Sequence, residues 1–460
     1  MKRNTRIFDL LSNYQEEHAK KKMVSGKFAG KWRHYSTQEF NQLVNELSRG
    51  LVIKENIKQY DKIALMSANR PEWNICDFAV NQLGAAIVPL YPTLANQDLV
   101  HILKDANISV IFLSNAELYQ KVKVALEENG MEIPIYAFEE VEGTQSWQVL
   151  LDSGRAHPSL DLQPYRDAVV PDDLLTLIYT SGTTGKPKGV HLSHKNVMSN
   201  VLDCQKLLPS FYKKALSFLP LSHIFERMVV YLYISKGIEI HYAESLETVV
   251  ADINEVKPDG FTTVPRVLEK VYDSIIAKGK QLSGIKKSLF FWAVELGHQF
   301  QEPEKNSAWY NFRLGIARKL IFSKWQAALG GNIKVIISGG AALQPRLARI
   351  FWAADIPVLE GYGLTETSPV IGVNSLEPGG LKFGTIGKVL DSVEVKIASD
   401  GEILTRGPHV TKGYYNNPEA TAELIDAEGW LHTGDIGELT SDGFLRITDR
   451  KKEIFKTAGG

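Results

Sequence analysis

The chain has 460 residues, 44% hydrophobic and 23% charged, with 52 Lys and Arg set against 53 Asp and Glu. Its apolar content excludes wholesale disorder, and its charge balance excludes a nucleic-acid binder that works through bulk positive charge. Two cysteines, Cys76 and Cys204, are too few for a disulfide framework or a zinc site and fit a reducing, cytoplasmic home. The first residues, Met1 to Arg6, carry positive charge. Asp9, Glu16, Glu17 and Lys20 to Lys22 then interrupt any apolar run, so no signal peptide is read. No stretch reaches the roughly 18 apolar residues of a membrane span, and the protein is expected to be soluble or at most to lie on a membrane surface.

Ser36-Thr37-Gln38-Glu39 has the spacing of a capping box, and Phe40, Leu43, Val44, Leu47 and Leu51 follow at helical intervals. Ile63 to Met66 reads as a buried strand. Asn69-Arg70-Pro71 opens a helix through Trp73, Phe78 and Leu83 that stops at Gly84. Ala86 to Leu90 is the next strand, then a helix near Leu99 to Leu103 and a strand at Val110 to Leu113. Strands alternating with helices imply parallel sheets covered on both faces. A second α/β stretch has strand candidates at Leu174 to Tyr179, Ile238 to Tyr242, Phe261 to Val264 and Lys334 to Ile337, with a long helical region at about Pro265 to Leu329. From about Ile371 the pattern changes: Val393 to Ile397 alternates with period two, and Asp400-Gly401 and Asp442-Gly443 mark hairpin turns. The expected architecture is α/β: a first α/β subdomain at 1–170, a second at 171–370 and a small β-rich subdomain at 371–448. Residues 449–460 are read as the start of a further piece, because a strongly patterned segment ends just before the chain does.

The strongest chemical signal is Tyr179-Thr180-Ser181-Gly182-Thr183-Thr184-Gly185-Lys186-Pro187-Lys188-Gly189. Three glycines admit close backbone approach, while hydroxyls and two lysines supply donors that suit a polyphosphate. A P-loop would need Gly where Thr180 stands, and Ser or Thr where Pro187 stands. Pro187 to Val190 reads as entry to another strand, so this loop would hold phosphates without a helix N-terminus behind it.

That loop resembles the signature of the adenylate-forming superfamily, which holds acyl-CoA synthetases, carrier-loading adenylation domains and luciferases. Further motifs follow in the family's order. Leu219 to Arg227 resembles its aromatic and histidine motif, and Ser338 to Leu343 and Glu360 to Thr367 resemble its adenine and metal motifs. Gly401 to Gly407 and Trp430 to Asp435 resemble later core motifs, and Thr448 to Glu453 resembles its hinge. The resemblance implies that Thr180, Ser181, Gly182, Thr183, Thr184, Gly185, Lys186 and Lys188 wrap the triphosphate. Gly339, Gly340, Ala341, Glu360, Gly361, Tyr362 and Gly363 would receive the adenine, and Asp435 and Arg450 the ribose. Glu366 and Thr180 would share Mg²⁺, Thr365 and Glu366 would act at the reacting centre, and His223 would shape the acyl site and orient the carboxylate. His223 is not expected to be a general base, because a fatty carboxylate is already ionised near neutral pH.

The reaction the resemblance implies is attack of a carboxylate on the α-phosphorus of ATP, giving acyl-AMP and pyrophosphate, then transfer to coenzyme A. Lys452 would be the hinge pivot. The family's C-terminal mobile domain, with its catalytic lysine, is expected to be absent from this chain, which would then adenylate weakly. Ser222 to Arg227, Val264 to Tyr272, the long helical region and Asp449 to Lys456 resemble the long-chain fatty acyl-CoA synthetase branch. Arg227 stands where some relatives carry an aromatic gate, so a gate is not carried over. The alternatives are an acyl-AMP ligase that loads a carrier protein, a catalytically silent nucleotide or acyl-binding module, and a P-loop ATPase, which fails on Thr180 and Pro187. Oligomeric state is left open. Leu289-Phe290-Phe291-Trp292 with Arg313, Arg318, Lys319 and Lys324 raise peripheral membrane contact, against a favoured reading as core plus a solvated face.

Overall fold

The computed structural model describes residues 5–180 and 185–451. Within these residues three sheets form. A seven-stranded sheet runs in the order Gln145–Ser146, Ile135–Ala137, Ile108–Leu113, Lys62–Met66, Ala86–Leu90, Leu174–Thr180, Lys188–Ser193. All its pairings are parallel except the last. A nine-stranded sheet is parallel through Val358–Gly363, Val335–Ser338, Gly260–Thr263, Lys214–Ser217, Glu239–Tyr242 and Val24–Phe28. Antiparallel strands close both of its edges, with Val370–Val373 and Lys388–Val389 at one end and Lys31–Tyr35 at the other. Glu394–Ile397, Glu402–Arg406, Leu431–Leu439 and Leu445–Arg450 make a small antiparallel sheet.

The expected boundary at residue 170 does not separate the sheets. Strand Leu174–Thr180 lies beside Ala86–Leu90 in the seven-stranded sheet, and the N-terminal hairpin Val24–Phe28/Lys31–Tyr35 joins the nine-stranded one. The hairpin turn is Ala29-Gly30, both at positive φ (46° and 76°), a two-residue turn whose twist matches its strands. Val24 pairs with Ile240, more than two hundred positions away, a contact that local periodicity does not reveal.

Local chemistry sets the other elements. The Ser36 hydroxyl accepts from the Glu39 N–H at 3.1 Å and starts helix Thr37–Glu55. Pro71 opens helix Pro71–Asn81, which is buried along its whole length between the two large sheets' layers. In the small sheet, Gly401 and Gly443 take φ of 86° and 83° at the two turns read from the sequence. The long helical region resolves into Pro265–Lys280, Gly284–His298, Ala308–Ala317, a π-helical turn Arg318–Phe322, and Ser323–Ala328. Phe290 is buried, while Leu289, Phe291 and Trp292 pack against the core, as the favoured reading had it. Cys76 and Cys204 are buried free thiols, and burial pushes the Cys204 pKa up to about 12. Among the described residues no helix is long and apolar enough to cross a membrane.

Candidate active site

The glycine- and hydroxyl-rich loop joins two antiparallel strands. Thr180 ends one, Lys188 opens the other, and the two residues face each other in register. The chain therefore returns to the sheet as a strand at Lys188, with no helix there among the described residues. The loop's feet are anchored: the Tyr179 hydroxyl donates to Asp105 Oδ2 at 2.5 Å, and the Pro187 carbonyl lies 3.1 Å from His101 Nε2. Gly185, at φ 106°, and Lys186 are exposed. Ser181, Gly182, Thr183 and Thr184 lie outside the described residues, as do Lys452 and Glu453.

Strand Lys188–Ser193 receives a second segment on its far side. The Tyr415 N–H donates to the Gly189 carbonyl at 2.7 Å, and the His191 N–H to the Gly413 carbonyl at 3.0 Å. This seats Tyr414, whose hydroxyl donates to Glu366 Oε1 at 2.9 Å while its ring lies 5.3 Å from Lys188 Nζ. Burial, reinforced by the Glu366 charge, raises the Tyr414 pKa and keeps the phenol a donor. Thr365 and Glu366 sit in a 3-10 turn that packs against the same strand, and the Glu366 carbonyl accepts from the Thr411 N–H at 2.9 Å. Tyr414 was not read from the sequence, since Lys412-Gly413-Tyr414 carries no local chemical pattern. No group of three or more His, Cys, Asp or Glu is poised for a metal among the described residues. The oxygen donors here, Glu366 and Thr180, suit Mg²⁺, which takes few protein ligands alongside substrate phosphates.

The second constellation lies at the carboxyl ends of the parallel strands, where open α/β sheets bind ligands. The Tyr362 hydroxyl donates to Asp435 Oδ2 at 2.5 Å, and Arg450 Nε donates to Asp435 Oδ1 at 3.1 Å. Asp435 and Arg450 are register partners in the small sheet, so Tyr362 ties that sheet to the nine-stranded one. Burial and then the Asp435 charge raise the Tyr362 pKa. Gly363 has no alternative, because a Cβ there would sit 1.6 Å from the Pro369 carbonyl oxygen. Gly361 is roomier, its Cβ meeting Val373 at 3.4 Å. Gly339 follows strand Val335–Ser338, and Gly340, at φ 78°, turns the chain toward exposed Ala341. Glu360 is buried, and its Oε2 accepts from the Leu343 N–H at 3.3 Å, so it latches the Gly339–Leu343 segment from behind. Burial pushes the Glu360 pKa up to about 7.

An apolar cavity of about 90 Å³, room for about three waters, joins this constellation to the protein interior. His223, Gly339, Gly340, Gly361, Tyr362 and Gly363 stand on its polar side, and Leu207, Met228, Val229, Leu232 and Val370 on its apolar side. His223 caps helix Ile224–Ser235 through Nδ1, which accepts from the Phe225 N–H at 3.1 Å, so Nε2 carries the proton of the neutral ring. The cleft walls desolvate the imidazole and lower its pKa. Arg227, four positions on, takes no part in the cavity. It is wholly buried against Asp77, Thr176 and Tyr231.

The family model described as AMP-binding enzyme matches residues 12–415. The chain belongs to the AMP-binding enzyme family. It is 33% identical over 94% of its length to a long-chain-fatty-acid–CoA ligase, FadD15, of Mycobacterium bovis, and spans 72% of that relative. It is 33% identical over 86% of its length to human long-chain-fatty-acid–CoA ligase 1, of which it spans 60%. The solved N-terminal domain of FACL13 from Mycobacterium tuberculosis superposes with a TM-score of 0.71 at 21% identity, covering 96% of this chain and 100% of that domain. The α/β fold is thus that of an acyl-CoA synthetase N-terminal domain. Acyl-CoA synthetases of this family are ATP-dependent, AMP-forming ligases that use ATP, Mg²⁺ and coenzyme A.

Proposed function

We propose that this chain carries the nucleotide and acyl sites of a long-chain fatty acid–CoA ligase. The observation that supports the reading best is the join between an Asp435–Tyr362–Arg450 cluster and an apolar cavity, with His223 on the rim they share. A molecule that fits such a join has a polar nucleotide end and an apolar tail, as an acyl adenylate does. Two anions must meet first. A fatty carboxylate oxygen bonds to the α-phosphorus of ATP, and the bond from that phosphorus to the bridging oxygen breaks, releasing pyrophosphate. The thiolate of coenzyme A then bonds to the acyl carbon, and AMP leaves with the oxygen.

In this reading Asp435 accepts hydrogen bonds from the ribose hydroxyls in place of Tyr362 or beside it, and Arg450 keeps the Asp435 carboxylate oriented. The Tyr362 ring and the Gly339–Ala341 backbone receive the base. Lys186, Lys188 and the hydroxyl loop hold the phosphates. Glu366, held by Tyr414, and Thr180 hold Mg²⁺, which when bound offsets phosphate charge and stabilises the departing pyrophosphate. Neutral His223 donates from Nε2 to orient the carboxylate without competing for a proton. Each methylene of the tail that leaves water contributes about 0.8 kcal/mol. Leu207, Met228 and Leu232 must move aside to admit a long tail, and unbranched Met228 re-packs easily.

The test is pyrophosphate exchange with fatty acids of graded length, followed by product analysis with coenzyme A and with a phosphopantetheinylated carrier protein. Fatty-acid-dependent formation of AMP and acyl-CoA supports the reading. ADP as product, or transfer to the carrier alone, refutes it.

A further inference from the structure

Helix Ala308–Ala317, the π-helical turn Arg318–Phe322 and helix Ser323–Ala328 follow one another without a break. The inner side is firmly docked: Leu314, Ala317, Ile321, Phe322 and Trp325 are all buried. The outer side is unusual for a solvated face. Trp309, Phe312, Ile316 and Leu320 are 66%, 61%, 40% and 44% exposed, and it is their contiguity rather than any one exposure that sets the face apart. Their spacings of three, four and four residues put them on one helical face. Trp309 and Phe312 stack on each other, ring centroids 5.6 Å apart at 19°, so the two largest rings form a single flat projection.

The charge along this segment is mostly positive, with Asp355 pairing Arg318 at 3.8 Å. Residues 305–354 contain eight Lys or Arg and no Asp or Glu. Arg313, Lys319 and Lys324 lie on or beside the stripe, and none of the three forms an ion pair among the described residues. Arg313 instead lies 5.8 Å over the Trp292 ring, held at the flank of the stripe. An exposed row of aromatic and aliphatic side chains, bordered by uncompensated cations, fits an interface whose surface is negative and whose interior is apolar.

We propose that this face docks the protein in the plane of an anionic lipid bilayer. Trp309, Phe312, Ile316 and Leu320 enter the headgroup and upper acyl region, and Arg313, Lys319 and Lys324 meet lipid phosphates. The cations Arg313, Lys319 and Lys324 are among those the sequence pattern drew attention to, but the apolar row is a different one, because Leu289 to Trp292 turn inward. The inference does not depend on the ligase reading: failure of lipid binding leaves nucleotide binding untouched, and the reverse also holds.

The test is co-sedimentation of the whole chain with phosphatidylcholine vesicles and with vesicles that also contain phosphatidylglycerol. Binding is expected to the anionic vesicles and to weaken as salt rises. Trp309→Ser combined with Phe312→Ser is expected to cut partitioning at least about tenfold. Lys319→Glu with Lys324→Glu, at two exposed positions, provides a second variant whose folding is not in question and is expected to abolish the preference for anionic vesicles. Leu246→Ser, at an apolar side chain 65% exposed elsewhere, is expected to bind like the parent. Absence of binding to anionic vesicles at low salt, or equal binding by both stripe variants, overturns the proposal. So does lipid-free dimerisation that the stripe variants abolish, since a second copy would then be the occupant.

Discussion

Arg227 Nη2 meets Asp77 Oδ1 at 2.5 Å, with both side chains wholly excluded from solvent. The same guanidinium donates to Thr176 Oγ1 at 2.7 Å, so one residue of the helix that borders the acyl cavity is tied to helix Pro71–Asn81 and to the seven-stranded sheet. Tyr231 completes the cluster by donating to Asp77. Truncating one member of a buried pair strands the other's charge. Asp77→Ala is expected to cost about 3–5 kcal/mol in urea unfolding. Because the cluster lies apart from the cavity, Arg227→Lys is expected to lower stability without shifting fatty-acid chain-length preference. A changed preference would make Arg227 a gate after all.

Asp435 is held at both oxygens by groups from two sheets. Calorimetry with AMP is expected to show that Asp435→Asn weakens binding about 10- to 100-fold, the range of a lost hydrogen bond to a charged group. The variant is also expected to lose discrimination between AMP and its deoxyribose analogues. Equal discrimination by parent and variant would remove the ribose from Asp435.

The Tyr414 hydroxyl donates to Glu366 Oε1 and so fixes the orientation of that carboxylate. Tyr414→Phe keeps the ring that Lys188 overlies and deletes only the 2.9 Å hydrogen bond. The expected result is a tenfold or greater loss of Mg²⁺ affinity, read by titrating the metal against AMP-analogue binding, with thermal stability little changed. Unchanged metal dependence would confine Tyr414 to packing.

Glu226 supplies a pH test. It is wholly buried, Thr262 donates to its Oε2, and its Oε1 has no partner. Burial pushes its pKa from 4.5 up to about 7. A carboxyl whose folded pKa is raised contributes stability below the unfolded value and loses it as pH climbs through the folded one. Stability should therefore fall between about pH 4.5 and 7. Glu226→Gln is expected to flatten that fall and to gain up to about 3 kcal/mol at pH 8. A variant that tracks the parent across this window would show that Glu226 is ionised at no cost.

Much of the scaffold was legible because it is locally encoded. Ile63 to Met66 and Ala86 to Leu90 are continuous apolar runs, the mark of strands covered on both faces. Asp400-Gly401 and Asp442-Gly443 carry their turn chemistry in two residues. The motif order brought Tyr362, Asp435 and Arg450 to attention, and the structure joins them by hydrogen bonds. What sequence reading missed is non-local. The N-terminal hairpin finds its sheet through Glu239–Tyr242, and Arg227 finds a counter-charge 150 positions away. Tyr414 matters only because a separate strand seats it over Glu366. The exposed stripe was not read for a related reason: Leu289 to Trp292 and Trp309 to Leu320 both carry large apolar side chains, and only packing decides which of them turn outward.

The most direct measurement is the calorimetric affinity of the chain for non-hydrolysable acyl-adenylate analogues whose tails lengthen by two methylenes at a time. If the nucleotide cluster and the apolar cavity form one continuous site, binding strengthens by about 0.8 kcal/mol per methylene until the cavity is full. Val229→Trp, at a cavity wall, then abolishes the gain for long tails while leaving short ones unaffected. Affinity independent of tail length, or lost equally for all tails in Val229→Trp, would contradict a shared site.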